Sequence, residues 1–145
     1  MAVTAKWFGK AFLALLNKEV DMDTDVLKVM LCTSSYTPDQ DAHDHKDDVT
    51  NEVSGAGYSA GGATLAGVAI TYIGASNTIK FDANDTTWAA ATITARYAVV
   101  YDSSPGSDAT RPLLLYVDFG ADVVSTGGNF TITWNASGIG TIVVS

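Results

Sequence analysis

The chain has 145 residues, of which 47% are hydrophobic and only 17% charged, against about a quarter in ordinary soluble domains. That composition excludes a disordered or fibrous chain and allows one sizeable core. A net charge of −8 excludes the clustered Lys and Arg on which nucleic-acid binding depends.

The charge is confined. Ten acids lie between Glu19 and Glu52, where Lys28 and Lys46 are the only bases, and the remainder holds six acids and six bases. A nearly neutral body therefore carries one acidic window. Cys32 is the sole cysteine, so no intrachain disulfide forms, which suits cytoplasmic synthesis. No apolar run approaches the roughly 20 residues that span a bilayer. Lys10 interrupts the apolar start, and Asn17-Lys18-Glu19 stands where a signal peptide would carry small residues, so no export and no membrane partner are expected.

Residues 4–18 are predicted as the one helix. Trp7, Phe8, Ala11, Phe12, Leu15 and Leu16 fall on one stripe, Thr4 can cap its start, and Lys6, Lys10 and Lys18 make it basic. Residues 26–32 read as a first, buried strand. Residues 33–63 lack periodicity and form a long acidic, Gly-rich loop, of a length that marks a functional segment. The β body follows over 64–145. Its strands are predicted at 65–72, 78–81, 91–101, 113–119, 130–134 and 139–144. The strand at 91–101 should place Ile93, Ala95, Tyr97, Val99 and Tyr101 on one face, with its second half covered on both. Even spacing and Gly-rich turns predict a mainly β single domain, an antiparallel sandwich or barrel-like fold with one N-terminal amphipathic helix.

Three constellations invite chemistry. Gly57-Tyr58-Ser59-Ala60-Gly61 fits the G-x-S-x-G nucleophile elbow, yet that motif needs a strand before it and a helix after it. Both histidines also precede Ser59, against the hydrolase order, so no catalytic residue is assigned and no enzyme is expected. Asp41, His43, Asp44 and His45 are candidate metal ligands. An EF-hand started at Asp41 would put Lys46 where glycine is obligatory, so calcium of that kind is excluded and no cofactor is expected. Trp88 and Trp134 are core residues by default and a carbohydrate-binding pair as the alternative.

The run from Val29 to Asp39, through His43, His45 and Lys46 to Thr50-Asn51-Glu52-Val53 and Gly57-Tyr58, resembles small virion structural proteins of tailed bacteriophages. Ala95-Arg96-Tyr97-Ala98-Val99-Val100-Tyr101 and Leu115-Tyr116-Val117-Asp118-Phe119-Gly120 carry the same resemblance. It implies an assembly role in head or tail, virion localisation and no catalytic residue. The function expected is a capsid decoration or cementing protein, with a tail or fibre-base component and a metal- or carbohydrate-binding module as alternatives. The expected partners are the major capsid protein or another virion protein, and further copies of the chain in a closed oligomer, preferably a trimer. Lys6, Trp7, Lys10, Tyr36, Asp39, Asp41, Asp47, Asp48 and Tyr58 are the candidate contact residues. The uncharged surface elsewhere is expected to be shared between subunits.

Overall fold

The first expected element is not the helix predicted. In the computed structural model, which describes residues 2–145, the chain opens with strand β1 (Thr4–Trp7), turns through Phe8–Lys10, and only then forms the six-residue helix α1 (Ala11–Leu16). Thr4 is therefore no helix cap. Strand β1 pairs antiparallel with β7 (Leu113–Ile132), from Thr4 opposite Asp118 to Trp7 opposite Leu115. A helix over 4–18 would carry Gly9 in its interior at a cost of about 1 kcal/mol. The strand instead gains a ladder on an open edge and sends Phe8 into the core, fully buried. Helix α1 ends where Lys18 adopts a left-handed conformation, with the amides of Lys18 and Glu19 returning to the carbonyls of Leu15 and Ala14. That pairing closes the helix in the Schellman manner.

Every strand pairing is antiparallel. The larger sheet has the order β1-β7-β6-β2-β3, with β2 at Leu27–Cys32, β3 at Ala63–Thr64 and β6 at Thr86–Asp102. Strands β6 and β7 form one long hairpin, so the two strands predicted at 113–119 and 130–134 are parts of a single irregular strand. Register shifts at Trp88/Ala91, Ala91/Ile93, Ala95/Tyr97 and Val100/Tyr101 bend it. The extra residues at Ala95/Tyr97 and Val100/Tyr101 lie on β7, and β6 keeps an unbroken register with β2 from Tyr97 to Asp102. Ala91, Ile93 and Ala95 are buried, Tyr97 is half-exposed, and beyond it Ala98–Asp102 is buried throughout, as expected of a stretch covered on both faces. Strand β2 lies beside it and is buried over Leu27 and Val29–Cys32.

The second sheet has the order β4-β5-β8, with β4 at Ala69–Ile73, β5 at Thr78–Asp82 and β8 at Gly140–Val143. The strand predicted at 65–72 starts late because residues 65–68 serve the link: the Leu65 amide bonds Leu27 O, and Asn84 N bonds Ala66 O. The two sheets meet at Trp7. Its ring lies 5.3 Å from that of Phe12 and 6.2 Å from that of Phe81, and its Nε1 donates to Thr141 O at 3.1 Å. Phe81 and Ile139 are buried on the smaller sheet's side of this contact. The result is a mainly β, sandwich-like fold.

Candidate functional site

The loop over 33–63 carries most of the candidate residues, and the structure lays it flat on the body. It leaves β2 at Cys32 and returns to the same strand: Thr33 N bonds Asn51 O, Val53 N bonds Leu31 O, and Cys32 and Glu52 form an isolated antiparallel bridge. Between these ends several groups of contacts pin it.

Tyr36 is buried, and its ring stacks on His43 at 5.7 Å. The Tyr36 hydroxyl and the Asp39 amide both reach His43 Nδ1, at 3.0 and 3.3 Å. Asp39 closes the turn by accepting from the amides of Asp41 and Ala42, and those two bonds hold its carboxyl below the usual range. Asp44 accepts from His45 Nδ1 at 2.7 Å and from Lys10 at 3.4 Å, while Lys10 also donates to Ala42 O. Asp48 Oδ2 accepts the amides of Asp44 and His45 at the start of the 3-10 turn Lys46–Asp48. Lys46 then reaches Asp108 at 2.8 Å, and Arg111 meets the same carboxylate at 2.9 Å. Lys46 first, with Arg111, keeps Asp108 below the usual carboxylate range.

The last part of the loop hangs on Glu52. Its Oε1 accepts from the Tyr58 hydroxyl at 2.7 Å and from the Gly61 amide at 2.6 Å. Tyr58 accepts in turn from Leu31 N, and Tyr101 donates to Gly61 O at 2.7 Å. Burial, then Glu52, pushes the Cys32 thiol up to about 12, so it is an unreactive core thiol. These bonds account for the G-x-S-x-G match. The backbone at Gly57 lies against Ala89–Ala91 of β6, and the segment continues through Gly61 and Gly62 into the two-residue strand β3, with no helix after Ser59.

The candidate residues therefore divide. Tyr36 and Tyr58 face inward and are corrected from contact residues to anchors of the loop. Trp7 joins the two sheets, and Lys10, Asp39 and Asp48 are occupied within the chain. Lys6, Asp41 and Asp47 remain exposed. Asp41, His43, Asp44 and His45 do not assemble a metal centre: among the described residues, no three of His, Cys, Asp and Glu are placed to hold an ion. The pair of tryptophans fails in the same way. Trp88 is buried against Tyr58 and Phe130, at 5.9 and 6.0 Å, whereas Trp134 lines the groove between the sheets.

Two features were not anticipated. Asp102 is fully buried where β6 ends; its Oδ1 accepts Ser104 N at 2.8 Å and its Oδ2 has no hydrogen-bond partner among the described residues. Burial first, with Asp25 beside it, pushes this carboxyl up to about 6. The second is the distribution of charge over the surface. No charged residue occurs between Glu52 and Lys80, between Asp85 and Arg96, or after Asp122. The distal half of the β6–β7 hairpin, β4 and β8 thus carry no charged side chain, although Ile70, Tyr72, Val123, Val124 and Val143 are exposed there. The groove beside them has a volume of about 690 Å³ and is lined by Trp7, Val117, Phe119, Phe130, Trp134 and Ile139 among others. These uncharged strands are partly apolar, while β5 between β4 and β8 carries the Lys80–Asp82 ion pair at 3.1 Å.

No helix among the described residues is long and apolar enough to cross a membrane. Compared with protein-family profiles, curated proteins and solved structures, the chain matches none of them.

Proposed function

We propose that the chain is a non-enzymatic structural protein of a tailed-bacteriophage virion, and within it a decoration protein that binds the outside of the assembled head as an oligomer. One observation supports this reading beyond the resemblance in sequence: ten of the sixteen acids fall within residues 19–52, while β4, β8 and the distal part of the β6–β7 hairpin carry no charge and expose apolar side chains. Interface cores are depleted of charge, and a soluble monomer ordinarily mixes charge across its surface. Such a division suits a protein that meets like copies on one side and a different partner on the other.

The mechanism is linkage. A protein that binds the closed shell and not its free subunits stabilises the shell, by about 2.7 kcal/mol per site when its free concentration is about 100 times Kd. The partner is the major capsid protein or a neighbouring head protein; the acidic window repels phosphate, so nucleic acid is not a partner. The chain is made in the host cytoplasm and resides in the virion. Antibody probing of separately purified heads and tails tests the location. The chain is expected with heads alone, and its recovery with tails alone would replace decoration by the tail reading.

A further inference from the structure

The smaller sheet overhangs the larger one. Ile70 pairs with Phe81 and Tyr72 with Ile79 across β4 and β5, and side chains on one face of an antiparallel pair lie opposite one another. Ile70 and Tyr72 therefore belong to the same apolar face as the buried Phe81. Beneath Phe81 lies Trp7 of the larger sheet. Beneath β4 the cover stops: Phe81 is 2% exposed, Ile70 44% and Tyr72 59%, and every residue of the strand is exposed.

Strand β4 is also an open edge, paired only with β5. Natural edges are protected by charge, by proline or by a bulge. Ala69–Ile73 has no charged residue and no proline, and its register with β5 runs without a shift. The nearest charges along the chain are Glu52 and Lys80. An uncharged, flat, apolar edge is a template for another strand.

We propose that β4 pairs antiparallel with β4 of a second copy, about a two-fold axis at Thr71. The strand is self-complementary in that register. Ile70 falls opposite the second copy's Tyr72, Tyr72 opposite its Ile70, and Thr71 opposite itself. Pairs of aromatic with β-branched residues and Thr with Thr are among the stabilising cross-strand combinations. Two three-stranded sheets become one six-stranded sheet, and the overhanging Ile70 and Tyr72 of both copies form one cluster on its inner face. Ladder hydrogen bonds supply affinity and the side-chain pairs supply register. This contact rests on the reading of the chain as an assembly component. It makes the building unit a dimer in place of the trimer expected from sequence.

Native mass measurement of the intact chain tests it, at about 100 μM chain against a Kd on the order of 10 μM. The wild type is expected at twice the chain mass of 15.2 kDa. Ile70→Lys and Tyr72→Asp, each at an exposed position, are expected to raise Kd at least about tenfold, so that the monomer rises from about a fifth of the chains to half or more at this concentration. Mixed in equal amounts they should dimerise again, since the introduced ammonium of one copy then faces the introduced carboxylate of the other. If either variant loses its β-sheet circular dichroism, Thr71→Arg replaces it, because the two introduced charges then face each other across the axis. A monomeric wild type overturns the contact, as do a trimer, variants that keep the wild-type mass, or a mixture that stays monomeric. Head binding is scored separately on the same wild-type preparation. A dimer that ignores heads removes the decoration reading and leaves the contact in place; a monomer that binds heads does the reverse.

Discussion

Gly62→Ala should cost about 4 kcal/mol of folding stability. The backbone at Gly62 has φ +81, and a Cβ there would stand 1.9 Å from Val29 O and 2.6 Å from Met30 Cα, both backbone atoms of the interior strand β2. Neither neighbour can yield without breaking the ladder between β2 and β6. A left-handed conformation costs an alanine about 1–2 kcal/mol, and overpacking against fixed atoms adds about 1–3 kcal/mol or more. A loss of about 4 kcal/mol is a large part of the stability of an ordinary domain. Gly127→Ala separates the two contributions, since φ there is +67 and nothing lies within 4 Å of the added carbon. It should cost only the conformational part, about 1–2 kcal/mol. Urea unfolding of the three proteins measures both; equal losses for Gly62→Ala and Gly127→Ala would mean that the loop is not seated on β2.

Asp102→Asn should stabilise the protein at neutral pH. Asp102 is fully buried, and its carboxyl is pushed up to about 6 from 3.8 by burial and by Asp25. Below about pH 4 the folded and unfolded chains both hold this proton, and nothing is lost. As pH rises from about 4 to 6 the unfolded chain ionises while the fold retains the proton, so stability falls. Above about 6 the whole penalty is in place, about 3 kcal/mol for a displacement of this size. Asparagine keeps the oxygen that accepts Ser104 N, and its amide can donate to Asp25. The difference in unfolding free energy between the variant and the wild type should therefore grow from near zero at pH 4 to about 2–3 kcal/mol at pH 7.5. Acids held below their usual range, Asp39, Asp44, Asp108 and Asp118, act in the opposite sense, but they are common to both proteins and cancel. A difference that does not change with pH would contradict the buried, proton-retaining state of Asp102.

What sequence could reveal followed the range of the interactions. Strands β2, β5 and β8 were placed within one or two residues, since their apolar runs and turn residues are local signals. The helix at 4–18 failed because strand β1 exists only through β7, with Trp7 opposite Leu115 more than a hundred residues away. An apolar stripe over so few residues fits a strand, a turn and a short helix as well as one helix. The two halves of β7 were separated for a related reason: Gly127 and Gly128 read as a loop, whereas pairing of Ala91 with Gly128 and of Trp88 with Phe130 continues the hairpin past them. For the loop over 33–63, missing periodicity was legible and its anchoring was not. Glu52, Tyr58, Gly61 and Tyr101 converge from separate segments, and Lys46 finds Asp108 across 62 residues. Tyr36 and Tyr58 looked like contact residues for that reason. The charge pattern was readable from the start, but its meaning came from the fold, which gathers the uncharged runs on β4, β8 and the distal hairpin.

The claim that organises these observations is binding to an assembled head, and cosedimentation with undecorated heads tests it most directly. Purified chain is titrated onto heads that lack it, and bound chain is counted per head with dissociated capsid subunits as the control. Saturable binding to heads at a fixed number of copies, none to the free subunits, and a higher melting temperature of the decorated shell are the predicted result. Binding that never saturates, binding to free subunits with equal affinity, or no binding to heads would contradict the account.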